Sequence, residues 1–136
     1  MTLTPDRELP YWQDGWRRIE PGTAGGSPLL EISNATVRLY KDTFGRGPTH
    51  SRARFADTDT LVVLLQEAMT VSERKLVALG EHEHVRKHRL LVHRTVEDDL
   101  RAVVERILSR RTLALISGID TSCDVAAEVF VLSPAP

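Results

Sequence analysis

Gly45-Arg46-Gly47-Pro48 decides how this 136-residue chain divides into elements. Two glycines around an arginine free the backbone for positive φ, which most residues avoid. Pro48 fixes its own φ, offers no N–H and biases Gly47 away from the α region. The chain therefore leaves a helix, turns sharply and departs extended. The plain reading is a helix C-cap followed by a rigid turn. A second reading is an anion nest, because such a turn can point successive N–H groups at one spot, here beside Arg46.

Upstream of the turn, Ser27-Pro28 is a helix start, with serine as N-cap and proline at the first helical position. Leu29, Ile32, Leu39, Tyr40 and Phe44 then follow at roughly helical spacing. Downstream, Ser51 to Phe55 and Thr60 to Gln66 flank a polar Asp57-Thr58-Asp59 turn and read as a β-hairpin, its second strand the more central. Thr70-Val71-Ser72-Glu73 is a capping box that opens a short helix ending at Gly80. From Glu81 the pattern is helical again, and Val96, Leu100, Val103, Val104, Ile107 and Leu108 form the clearest amphipathic stripe in the chain. The spacing predicts one long helix over about 82–109. Thr95 and Asp98 leave open a kink or a separate cap, and Leu90-Leu91-Val92 leaves open a short strand.

Thr112 to Ser117 and Ala126 to Leu132 are the last two strands, joined by a polar turn from Gly118 to Asp124. In the final strand Val125, Ala127, Val129 and Val131 share one face, and Ala126, Glu128, Phe130 and Leu132 share the other. The order αββααββ predicts an α+β domain, with a four-stranded antiparallel sheet and helices over one face. Residues 28–136 form this single domain. Residues 1–27 read as a largely irregular tail in which Tyr11, Trp12 and Trp16 ask for a surface to pack on.

Composition narrows the function classes. A net charge of −1 argues against a whole-molecule footprint for nucleic acid. The longest uninterrupted apolar run is Leu61 to Leu65, far short of the roughly 20 residues of a spanning helix, so direct membrane insertion is not expected. One cysteine, Cys123, permits no internal disulfide and fits a reducing cytoplasm; it reads as a small packing residue. No Ser/His/Asp pattern with a nucleophile elbow and no phosphate-binding P-loop is visible, and no cofactor is implied. Asp57, Asp59, Asp120 and Asp124 read as turn formers.

Two clusters remain. His82, His84, His88 and His93 lie within twelve residues, and His84 and His88 share a helix face at i, i+4, as two metal ligands would. The arginines and lysine around them oppose a cation, so a solvated face is the plainer reading. Arg86, Lys87, Arg89 and Arg94, with Arg46, Arg52 and Arg54, would make a pocket for a carboxylate or phosphate if the fold gathered them. The order of elements also resembles a KH nucleic-acid module, but Leu79-Gly80-Glu81-His82 carries one glycine and an acid where that module needs Gly-x-x-Gly.

Several stretches carry a family resemblance: Tyr40-Lys41-Asp42-Thr43-Phe44-Gly45-Arg46-Gly47-Pro48, Leu61-Val62-Val63-Leu64, Met69-Thr70-Val71-Ser72-Glu73-Arg74, Val85 and Arg89, and Val129-Phe130-Val131-Leu132. Over about residues 30–133 the chain resembles the bacterial MpsC family, named for the third component of a sodium-translocating membrane-potential-generating system. Ser109-Arg110-Arg111 departs from the family pattern, which has a glycine there in many members, and the tryptophan-bearing tail lies outside it. The resemblance implies a cytoplasmic accessory protein of a membrane system for cation movement or inorganic-carbon uptake, with no agreed catalytic residues. It carries Gly45, Arg46, Gly47, Pro48 and Arg89 over as characteristic positions. The resulting expectation is a non-enzymatic homodimer that docks on a protein partner or binds a small anion near Arg46 and Arg89.

Overall fold

The computed structural model describes residues 17–18 and 27–135. A two-residue strand, β1 (Arg17–Arg18), precedes helix α1 (Pro28–Phe44). Strands β2 (His50–Asp57) and β3 (Thr60–Gln66) follow, then α2 (Val71–Ala78), α3 (His82–His93) and α4 (Glu97–Leu108), and finally β4 (Thr112–Asp120) and β5 (Val125–Leu132). Every strand pairing is antiparallel, in the order β1-β2-β3-β5-β4. The four-stranded sheet read from the sequence is therefore present, and β1 extends its β2 edge by two residues. Tyr11, Trp12 and Trp16 lie outside the described residues.

Local chemistry sets the ends of α1. Ser27 Oγ accepts from the Leu30 amide and Pro28 opens the first turn. At the other end Gly45 takes φ +80° and its N–H donates to the Lys41 carbonyl at 2.9 Å. The Gly-Arg-Gly-Pro turn is thus a left-handed C-cap. Gly47 matters for a different reason: a Cβ there would stand 3.4 Å from both Lys41 Cβ and Val37 Cγ1. The chain folds back against its own helix, so that even a methyl group at this position would touch α1. Pro48 is buried just before β2 begins.

β3 and β5 form the centre of the sheet. Leu61, Val63 and Leu65 of β3 are fully buried, as are Phe130 and, nearly so, Ala126 and Leu132 of β5. Ile32, Val37 and Tyr40 of α1 and Val96, Leu100 and Val104 around α4 close over them to form one core. Alternation along β5 places Ala126, Glu128, Phe130 and Leu132 inward, so one carboxylate enters an otherwise apolar face.

Three expectations need correction. The single helix over 82–109 is two helices, because the amides of Arg94, Thr95 and Val96 reach back three residues, to Leu91, Val92 and His93. Thr95 Oγ1 also donates to the Val92 carbonyl at 2.6 Å. This tight turn redirects the axis. Val85, Arg89 and His93 then share the buried face of α3, while Leu100 and Val104 of α4 reach the core. Second, β4 continues past Ser117, because Gly118, Ile119 and Asp120 pair with Ala127, Ala126 and Val125. Third, Cys123 is exposed in the β4–β5 turn rather than packed inside.

Replacing Gly45 with alanine meets no steric obstacle but forces a Cβ into the left-handed region. It is expected to lower unfolding free energy by about 1–2 kcal/mol. Thr70→Ala, which removes the observed cap of α2, is expected to cost about 1 kcal/mol. Urea denaturation of the two variants checks both values.

Candidate functional site

Arg89 is buried, and its surroundings explain how. Glu73, at the third position of α2, completes the capping box by accepting from the Thr70 amide on Oε1 at 2.8 Å. The same carboxylate accepts Arg89 Nη2 on Oε1 at 2.7 Å and Arg89 Nε on Oε2 at 2.8 Å. This is the forked pairing that guanidinium geometry favours. Nη2 also donates to the Ala68 carbonyl at 2.7 Å. The Phe44 ring lies over the guanidinium, with 4.0 Å from its carbon to the ring centroid, so the last residue of α1 covers a cation on α3. Both ion-pair side chains are 6% exposed. Burial alone would raise the Glu73 carboxyl. The hydrogen bonds from Arg89 and the Thr70 amide, with the Arg89 charge, outweigh it and hold the group below its ordinary value. One nitrogen is left over: Arg89 Nη1 is buried and has no hydrogen-bond partner among the described residues.

A second buried polar cluster centres on Glu128, which is fully enclosed. Tyr40 O–H donates to its Oε1 at 2.7 Å, and His93 Nε2 lies 2.8 Å from Oε1 and 3.0 Å from Oε2. Ser117 Oγ donates to Oε2 and also sits 2.6 Å from His93 Nε2. Burial first, then the charge and the hydrogen bond of Glu128, push the Tyr40 phenol well above its ordinary value, so it remains a donor. Serine, histidine and glutamate meet here, but not in the wiring of a hydrolytic triad. That arrangement needs the acid on one imidazole nitrogen and the serine on the other. In this protein both approach Nε2.

The two clusters flank a cavity of about 190 Å³ lined by Arg86, Arg89, Leu90 and His93 of α3, Tyr40 and Phe44 of α1, and residues of β4 and β5 that include Ser117, Ile119 and Ala126. Its walls are mostly apolar, with the cations on the α3 side. Such a lining suits a small anion with some apolar surface.

Arg46 is placed elsewhere. Its Nε donates to the Glu67 carbonyl at 3.4 Å, one residue before the carbonyl that Arg89 holds. Arg46 and Arg89 thus reach successive residues of the β3–α2 connection, and Arg89 but not Arg46 lines the cavity. The Gly45 amide is spent on Lys41. His84 and His88 are exposed, and among the described residues no group of three histidine, cysteine, aspartate or glutamate side chains is placed to hold a metal. His82 bonds Thr121. Asp124, read as a turn former, does more: its Oδ1 accepts the Ala68 and Met69 amides at 3.0 Å each. Tyr40, Ser117 and Glu128 were not singled out from the sequence. The available clue was a glutamate on the same strand face as Ala126, Phe130 and Leu132.

With this geometry in place, the family comparison is specific. A family model described as "Na+-translocating membrane potential-generating system (MpsC)" matches residues 27–134. The chain belongs to the MpsC family. Neither a curated protein nor a solved structure matches it. The MpsC match spans every element from α1 to β5, including both buried polar clusters. No helix among the described residues is long and apolar enough to cross a membrane.

Glu73→Ala leaves the Arg89 charge buried without its counter-ion and is expected to cost about 3–5 kcal/mol at neutral pH. Acid should weaken the wild-type pair. The Glu73 carboxyl lies below its unfolded value in the fold, so its contribution is complete above the usual carboxylate range. It is lost as pH falls through that range toward the lowered value. Asp124, raised chiefly by burial, contributes with the opposite sign, so the comparison must be made between variants. Urea denaturation across acid pH should show a flatter stability curve for Glu73→Gln than for wild type.

Proposed function

We propose that this MpsC-family protein is a non-catalytic, cytoplasmic accessory or regulatory protein of a membrane cation or inorganic-carbon transport system. It binds a small planar carboxylate in the cavity beside Arg89 and transmits occupancy to a protein partner. The observation that carries the reading is Arg89 Nη1, a buried guanidinium nitrogen with no partner among the described residues, on a residue that lines the cavity. A buried donor left unsatisfied costs about 1–3 kcal/mol, which an anion accepting from it would recover. Arg86 adds a second guanidinium at the wall. Its bond to Glu83 is an exposed pair and yields easily to a competing anion.

Binding without chemistry is favoured by the state of the polar groups. Ser117 directs its hydroxyl to Glu128, and His93 Nε2 faces the same carboxylate, so neither is arranged to activate the other as a nucleophile. The cavity admits bicarbonate or a short-chain carboxylate, which share the planar CO₂⁻ group.

Titration calorimetry of the full chain with bicarbonate, acetate, butyrate and phosphate, at constant ionic strength, tests the proposal. Saturable binding of bicarbonate or of a carboxylate is expected, weakened about tenfold or more in Arg86→Ala and unchanged in Arg46→Ala, whose side chain sits on Glu67. One lost charge-assisted contact accounts for that factor. Bicarbonate alone would identify an inorganic-carbon ligand, whereas tighter binding of butyrate would identify an organic acid. Binding of none of these anions, or binding indifferent to Arg86→Ala, would overturn the reading.

A further inference from the structure

The two edges of the sheet are managed differently. At one edge β2 is followed by β1, whose Arg17 and Arg18 stand opposite Ser51 and His50. At the other, β4 is the last strand. Its first residue is closed off by α4. Glu105 Oε2 accepts the Thr112 amide at 2.8 Å, and Arg101 Nη1 donates to the Thr112 carbonyl at 3.2 Å. From Ala114 to Asp120 no described residue pairs with the outer side of the strand. These seven residues, Ala-Leu-Ile-Ser-Gly-Ile-Asp, include neither proline nor lysine and carry no inward-pointing charge, the usual devices that protect an edge. Exposed apolar side chains stand beside it: Leu113 and Ile116 are each 61% exposed.

We infer that β4 is an interface, and that its occupant is β4 of a second copy of this chain, paired antiparallel about a two-fold axis near Ser117. The charges on the strand select that partner and that direction. Exposed Arg111 precedes β4 and exposed Asp120 ends it, whereas Arg110 is held by Asp59 and the Ser133 carbonyl, and Asp124 by the Ala68 and Met69 amides. Antiparallel self-pairing lays the basic start of each strand beside the acidic end of the other; parallel pairing would stack like on like. An isologous contact of this kind also closes on itself, so the edge is consumed and does not propagate into a filament.

The register follows from the side chains. Centred on Ser117, Leu115 of one copy stands opposite Ile119 of the other on the helix-covered face, and Ile116 stands opposite Gly118 on the open face. Gly118 is the position that can receive a neighbour's bulk, because a Cβ built there meets nothing within 4 Å. Ser117, Gly118 and Ile119 also line the Arg89 cavity, so the dimer axis passes beside its wall. The dimer inference itself does not depend on that cavity binding an anion.

Sedimentation velocity of the full-length protein over a concentration series tests this, together with Ile116→Lys, Arg111→Glu and hydrogen exchange. The wild type is expected to sediment as a dimer. Ile116→Lys, on an exposed side chain outside the core, and Arg111→Glu, which places an acid beside the partner's acidic strand end, should each weaken dimerisation by about tenfold or more. Amides within Ala114–Asp120 should be protected in proportion to the dimer fraction. A wild type that stays monomeric overturns the inference, and protection of those amides in a monomer would show that the chain covers its own edge. A dimer unaffected by both substitutions also overturns it, because another surface would then be pairing.

Discussion

The buried ion pair between Glu73 and Arg89 is the constraint on which the arrangement around the cavity depends. Glu73 would be needed for α2 even without it, since its carboxylate completes the helix cap at Thr70. By also taking both Nε and Nη2 of Arg89, it fixes α3 against the start of α2. Arg89 in turn holds the Ala68 carbonyl and carries the Phe44 ring, which brings in the β3–α2 connection and the end of α1. Residues of α1, of the β3–α2 connection with the start of α2, and of α3 therefore meet at one guanidinium. Such a pair is costly to bury, so its net contribution to stability is small compared with the damage done by removing one member. Its value lies in specifying where α2 and α3 sit, a role that apolar contacts, being non-directional, fill less sharply.

The connection from Glu67 to Thr70 shows how closely this polar scaffold is built. Glu67 is held by the Asp124 carbonyl, Thr49 Oγ1 and Arg46 Nε, and Ala68 and Met69 donate their amides to Asp124 Oδ1. Glu67 and Asp124 both adopt positive φ, at 59° and 54°. Strain at these non-glycine residues is offset by the hydrogen bonds that converge on them. The Gly-Arg-Gly-Pro turn thus has two functions in one place: its glycines end α1 and let the chain fold back, and its arginine braces this connection.

The Glu128 cluster also borders the cavity, through Tyr40, His93 and Ser117, and has the same character. Tyr40, His93 and Ser117 come from α1, α3 and β4 and supply the hydrogen bonds that a fully enclosed carboxylate requires. The two polar networks border a mostly apolar space, and among the described residues Arg89 Nη1 is the buried side-chain nitrogen that they leave without a partner. MpsC membership gives the family to which the chain belongs.

The sequence by itself determined the local elements. Ser27-Pro28, the Gly-Arg-Gly-Pro turn and the Thr70–Glu73 box each close their own hydrogen bonds within a few residues, so their outcome does not depend on the rest of the chain. Strand alternation likewise put Glu128 on the face shared with Phe130 and Leu132, and the MpsC resemblance rested on the same local motifs. The sequence could not show that Glu73 and Arg89, both already conspicuous, form one pair across sixteen positions, or that His93 leaves its histidine neighbours to join Glu128. Nor could spacing alone show where the helix over 82–109 breaks, since the tight turn in which the Arg94, Thr95 and Val96 amides reach back three residues serves packing on both sides of the break. Those outcomes were decided by tertiary structure, because a buried charge or carboxylate takes whichever partners the completed fold brings within reach, and sequence distance sets no limit on them.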